Sequence, residues 1–149
     1  HSFKRMAKFE EKLLATVRQH NEEVLVWCLL PNHYHLLIDA PNILDTIREV
    51  GLLHGRTSYD WNLEENLQGQ RTCWHRCVER AMRSERHQWA TLNYVLNNAV
   101  HHGYVTRWQD WPFCNARQYL ETVGRETAIA RWKEYPVLDY GKGWDNPEM

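Results

Sequence analysis

The stretch Val24-Leu25-Val26-Trp27-Cys28-Leu29-Leu30-Pro31-Asn32-His33-Tyr34-His35-Leu36-Leu37-Ile38-Asp39 decides the fold. Its first seven residues form an unbroken apolar run, which predicts a strand buried on both faces. Pro31-Asn32 supplies a turn, and His33–Asp39 resumes as a second strand. Strands joined this tightly predict an antiparallel hairpin.

Working outward, residues 5–20 carry Met6, Phe9, Leu13, Leu14 and Val17 at three- and four-residue spacing, the pattern of an amphipathic helix that Asn21-Glu22-Glu23 breaks. Asn42 is placed to cap a second helix from Ile43 towards Trp61, with Asp45 three residues on and Gly51 and Gly55 weakening its middle. Thr72–Val78 reads as a short strand. Ser84 caps a third helix running to His102 and closed by Gly103. Two further helices are expected over residues 115–123 and 125–134, before a tail of extended chain. No internal repeat or low-complexity segment interrupts this order, and the expected class is α+β.

The chain has 149 residues, 43% hydrophobic and 25% charged, the composition of an ordinary globular domain. No run approaches the roughly 20 apolar residues of a membrane span, and no secretion signal is present, so a cytoplasmic protein is expected. The four cysteines form no CxxC pair and read as reduced thiols. Cys73-Trp-His75-Arg-Cys77 alternates along one face, but no second cluster of zinc spacing follows it. The chain opens on His1-Ser2 rather than Met, which leaves room for an element ahead of residue 1.

A net charge of −1 argues against indiscriminate nucleic-acid binding, yet the charge is unevenly spread. Residues 39–66 hold six acids against two bases, a net of −4, and residues 67–107 hold six bases against two acids, a net of +4. A locally basic segment can hold phosphates; a solvated charged face is an equal reading on charge alone.

Strand alternation puts His33, His35 and Leu37 on one face, so two imidazoles point the same way. They read either as hydrogen-bonded core histidines or as ligands of one ion. On the third helix, Trp89, Leu92, Leu96, Ala99 and Val100 make the core stripe. Tyr94 and Asn98 fall roughly opposite, one turn apart. Tyr94 is thus either a surface or second-core aromatic or a functional phenol. A protonated phenol, with a pKa near ~10, is a poor nucleophile, and a metal polarising a phosphate would address the electrophile instead. Asn98 offers a neutral amide oxygen as a third ligand to Mg2+ or Mn2+, which would keep waters or substrate oxygens.

Leu30-Pro31-Asn32-His33-Tyr34-His35-Leu36-Leu37-Ile38 resembles the histidine–hydrophobic–histidine motif of single-strand tyrosine transposases. Ser84-Glu85-Arg86-His87, followed by Leu92-Asn93-Tyr94-Val95-Leu96-Asn97-Asn98-Ala99-Val100, resembles their tyrosine helix. Gly103-Tyr104-Val105 and Asp110-Trp111-Pro112-Phe113 are similar to the REP-associated branch. The resemblance implies a ferredoxin-like or RRM-like antiparallel sheet with helices packed on it. A catalytic domain would cover residues 1–123, lacking the family's usual first strand, with a C-terminal helical extension over 124–149.

It also implies that Tyr94 is the nucleophile, with His33, His35 and Asn98 as metal ligands (Asn97 in place of Asn98 under another alignment). Tyr94 would attack a DNA phosphate, giving a 5′-phosphotyrosine link and a free 3′-hydroxyl, next to a DNA hairpin. The implied partner is single-stranded, hairpin-containing DNA, bound by a monomer or homodimer and by no membrane. Arg71, Arg76, Arg80, Arg83 and Arg86 are the candidate backbone contacts. Trp74, Trp108 and Trp111 read as core residues or as base-stacking platforms. The competing reading is a domesticated relative that binds hairpin DNA without cutting it; the retention of His33, His35, Tyr94 and Asn98 together favours the enzyme.

Overall fold

Ser2 accepts a hydrogen bond from the Arg5 amide at 3.3 Å and starts α1, Phe3–Arg18. The protein is described here by a computed structural model over residues 2–20, 23–75, 77–138 and 140–141. The chain divides into two units, His1–Glu23 with Asp39–Arg80, and Val24–Ile38 with Ala81–Met149.

In the first unit, α1 buries the predicted stripe Met6, Phe9, Leu13, Leu14 and Val17. Its partner is α2, Ile43–Glu64, capped by Asn42, whose side chain accepts from the Leu44 amide at 3.2 Å and donates to Asp45 at 2.7 Å. The helix buries Thr46, Val50, Leu53 and Thr57, a three- and four-residue stripe that outweighs the roughly 1 kcal/mol each of its two exposed glycines costs against alanine. Gly51 and Gly55 leave open space where a Cβ would stand, so neither serves a close approach.

The expected strand at Thr72–Val78 does not form among its described residues. Two helices offer no ladder to join, and the segment is held by side chains instead. Trp74 stacks on Phe9 at 4.6 Å and on His54 at 4.3 Å, with its indole donating to Thr57 Oγ1 at 3.0 Å. Asn62 donates to the Arg71 carbonyl at 3.1 Å and accepts from Arg71 Nε at 3.0 Å. Glu65 pairs with both Arg71 and Arg5; its hydrogen bonds, led by that from Arg5, hold its carboxyl below the usual range.

In the second unit, β1 (Glu23–Leu29) and β2 (Tyr34–Asp39) form the predicted antiparallel hairpin. The turn is closed by the Leu30 amide on the His33 carbonyl at 2.8 Å, so the second strand begins at Tyr34, not His33. β1 is not buried on both faces as expected: Val26 and Cys28 are buried, while Leu25 and Trp27 stay half-buried.

The segment 111–115 runs antiparallel along β1. Cys28 and Cys114 form a bridge, the Leu29 amide donates to the Phe113 carbonyl at 2.8 Å, and Trp111 Nε1 donates to the Leu29 carbonyl at 2.7 Å. Asn115 extends the ladder with its side chain, accepting from the Trp27 amide and donating to the Leu25 carbonyl, each at 3.0 Å. Among the described residues the sheet is therefore two strands plus this bridge, without the further strands of a ferredoxin-like sheet.

Helix α3, Glu85–His101, is capped by Ser84, which accepts from the His87 amide at 3.1 Å, and is closed by Gly103 at φ +74. It is buried on more than the predicted stripe: Tyr94 and Asn98 are inside with Leu92, Leu96 and Ala99. One turn of 3-10 helix at Trp108–Asp110 leads to α4, Ala116–Val123, and α5, Arg125–Glu134, which meet at Gly124 with φ +82. Buried Asn93 ties α3 to the end of α5 by donating to the carbonyls of Arg131 (3.2 Å) and Tyr135 (3.0 Å). The α+β class holds, and no described helix is long and apolar enough to cross a membrane.

Two measurements test these contacts. Asn115→Ala leaves the Trp27 amide and Leu25 carbonyl without their partner, so a urea titration should show a loss of roughly 2 kcal/mol. Burial lowers the His54 pKa from 6.5 to about 4, so the unfolded chain binds the extra proton. Stability should therefore be complete above about pH 6.5 and fall as pH drops towards 4, and His54→Phe should flatten that slope in thermal melts.

Candidate functional site

The second unit brings the hairpin's two histidines and the tyrosine helix together. His33 occupies the turn and His35 the strand, with ring centroids 5.2 Å apart. On α3 and its C-cap, Tyr94, Asn98 and His102 succeed one another at four-residue steps and so share one face. The Tyr94 ring meets His35 edge-on at 5.2 Å, Asn98 Oδ1 lies 3.2 Å from His33 Nε2, and His102 stands 4.9 Å from His33 between ring centroids. All four predicted residues thus fall in one cluster.

The His33 Nδ1 lies 2.9 Å from Asn32 Oδ1. Nε2 faces Asn98 Oδ1 at 3.2 Å. Two ligands about 2.1 Å from one ion and about 90° apart stand about 3.0 Å from each other, close to the separation found. The separation of these two atoms is compatible with one ion between them, and the His35 ring lies 5.2 Å from that of His33. Among the described residues, no group of three or more His, Cys, Asp or Glu side chains is placed to hold an ion.

Asn97 and Asn98 part ways on the helix. Asn97 Oδ1 accepts from Trp108 Nε1 at 2.9 Å, away from the histidines. Tyr94 is 5% exposed and Asn98 is fully buried. Tyr140 packs edge-on to Tyr94 at 5.9 Å, and its hydroxyl meets His87 Nε2 at 2.9 Å and the Thr91 hydroxyl. Gly141, at φ +79, lies so close that a Cβ there would come within 2.3 Å of Tyr94 Cε2.

Three of these neighbours escape sequence reasoning. His102 left a signal, a second four-residue step following that from Tyr94 to Asn98; Tyr140 and Gly141 left none beyond a glycine in a polar tail.

The candidate phosphate contacts are divided between the two units. Arg71 and Arg80 belong to the first unit, and Arg71 is committed to Glu65 and Asn62. Arg83 and Arg86 are exposed at the start of α3 in the second unit. Arg76 lies outside the described residues. Of the candidate stacking residues, Trp111 is 6% exposed, a core role, whereas Trp74 and Trp108 are half-buried, Trp74 with its ring against Phe9 and His54.

Fold and site together define an α+β protein in which a two-histidine hairpin faces a tyrosine-bearing helix. The chain is 28% identical over 116 residues, 71% of its length, to a Haemophilus influenzae protein named as a REP-associated tyrosine transposase. It spans 65% of that relative's length. No protein-family model matches the chain, and no solved structure matches it.

The contact over Tyr94 can be tested alone. Gly141→Val cannot be seated with Tyr94 in place, so this variant should raise the accessibility of Tyr94 to tetranitromethane several-fold with little change in melting temperature. Unchanged nitration would show that the two residues do not meet in solution.

Proposed function

We propose that this protein cuts and rejoins single-stranded DNA beside hairpins, with Tyr94 as nucleophile. The observation that carries the reading is the cluster itself: the Tyr94 ring on His35, with Asn98 and His33 donor atoms 3.2 Å apart. The similarity to a protein named as a REP-associated tyrosine transposase supports the same chemistry and DNA as the partner.

In this reading the Tyr94 oxygen attacks a backbone phosphorus. The O–P bond to tyrosine forms, the P–O3′ bond breaks, the phenol proton leaves and the departing 3′ oxygen takes up a proton. One phosphodiester replaces another, so a 3′-hydroxyl can reverse the step without a nucleotide triphosphate. A bound Mg2+ or Mn2+ supplies Lewis-acid polarisation of the phosphate. Asn32 holds the His33 ring by its Nδ1, leaving Nε2 directed at Asn98. His35 fixes the plane of the Tyr94 ring from its edge. A cation held by His33, His35 and Asn98 would attract the phosphate, which would bring the electrophile next to the phenol.

One observation favours the second reading, a hairpin-DNA binder that does not cut: Tyr94 is 5% exposed, with Gly141 against its ring.

Incubation with hairpin oligonucleotides bearing single-stranded flanks, with Mn2+ or Mg2+, distinguishes the two on a denaturing gel. The expected result is a covalent protein–DNA band, absent with EDTA, absent in Tyr94→Phe and reduced at least 100-fold in His33→Ala. Binding without a covalent band under either metal would leave only the binder.

A further inference from the structure

Beside α3, on the flank that carries Asn97 and Val100, lies a cleft of about 520 Å³, lined by Asn97, Trp108 and Trp132 and by the charged Arg117, Glu121 and Arg125. Its volume falls within the roughly 300–1,000 Å³ of small-ligand sites. Three features bear on what it would hold. The indoles of Trp108 and Trp132 meet at 77° with centroids 5.4 Å apart, two flat apolar walls at nearly right angles. Trp108 is locked in place by its Nε1 donating to Asn97 Oδ1 at 2.9 Å, so its ring is presented rather than free to turn. Both rings are half-exposed, as structural core tryptophans need not be.

The rim adds charge. Arg117 is steadied by a 3.3 Å hydrogen bond from its guanidinium to the Gln109 carbonyl, and Arg125 is exposed at the start of α5. Against the single carboxylate of Glu121 the rim is net positive. Flat apolar walls under a cationic rim suit a planar base attached to a phosphate, and suit a purely apolar ligand poorly.

We propose that this cleft binds one unpaired nucleotide of the DNA strand, the base against Trp108 and Trp132 and a phosphate against Arg117 and Arg125. The inference rests on the reading of DNA as the partner and adds to it a second contact that takes no part in the cutting chemistry. Asn97 and Asn98 are neighbours on one rigid helix, so a strand occupying both faces would be held at a fixed offset from Tyr94.

The test uses the full chain carrying Tyr94→Phe, so that binding is read without cutting. Hairpin DNA with a single-stranded flank carrying 5-iodouracil is photocrosslinked and the adduct mapped by mass spectrometry, and affinity is measured by fluorescence anisotropy. Crosslinks should fall on Trp108 or Trp132. Trp108→Ala should weaken binding of flanked hairpins about tenfold, the size of one lost base stack. Arg125→Glu, an exposed change that spares the fold, should weaken it at least fivefold, and Arg125→Lys should restore most of that. Hairpins without a flank should bind all these proteins alike.

Crosslinks elsewhere, with flanked-hairpin affinity unchanged in Arg125→Glu, would overturn the assignment while leaving DNA as the partner. An altered oligomeric state in Arg125→Glu with unchanged DNA affinity would give the cleft to a second copy of the chain and overturn it too. Failure of the parent chain to bind any of these DNAs would remove the DNA reading and the cleft's assignment with it.

Discussion

Helix α3 must bury two faces at once, and most of the second unit follows from that requirement. One stripe, Leu92, Leu96 and Ala99, is apolar and needs only close packing. The other carries Tyr94 and Asn98, whose polar atoms lose water and need partners inside. The hairpin meets that need by presenting His33 and His35 where a leucine pair would satisfy packing alone. The cost of desolvating Asn98 and two imidazoles is tolerable because each has a neighbour of complementary chemistry, and the chain's polar cluster is small enough for that to be arranged.

The hairpin is in turn steadied by residues far along the chain. Asn115 substitutes a side-chain amide for two ladder positions on β1, and the Trp111 indole takes the Leu29 carbonyl. Such contacts remove backbone groups from solvent at an edge that would otherwise invite pairing with another chain. They also explain why Trp111, a plausible stacking platform in the sequence, is committed to the core: its one donor is used by the strand that bears the histidine turn.

Much of this was legible in the sequence. Periodicity located α1, α2 and α3 to within a few residues, and Ser2, Asn42 and Ser84 are all capping residues of the kind the pattern requires. The hairpin followed from an apolar run broken by Pro31-Asn32. The failures have physical causes. Thr72–Val78 has strand-like composition, but Trp74 gains more from packing against Phe9 and His54 than a lone strand gains without a partner. The helical wheel assigned α3 one buried face because it counts hydrophobic residues only, and so could not show that Tyr94 and Asn98 are also interior. Contacts between residues distant in sequence, such as Gly141 on Tyr94 or Asn115 on β1, leave no local pattern to read.

The closeness of Gly141 to Tyr94 bears finally on how ligand affinity is to be understood. With 5% of the tyrosine in solvent, a bulky ligand reaches the ring only along that opening or after the glycine has moved aside. For any ligand taking the second route, the measured dissociation constant is the intrinsic one divided by the fraction of molecules already uncovered. Each tenfold preference for the covered arrangement then subtracts about 1.4 kcal/mol from apparent binding, with no change in any contact the ligand makes. Two chains with identical histidines, tyrosine and asparagine can therefore differ widely in affinity through one residue of a tail.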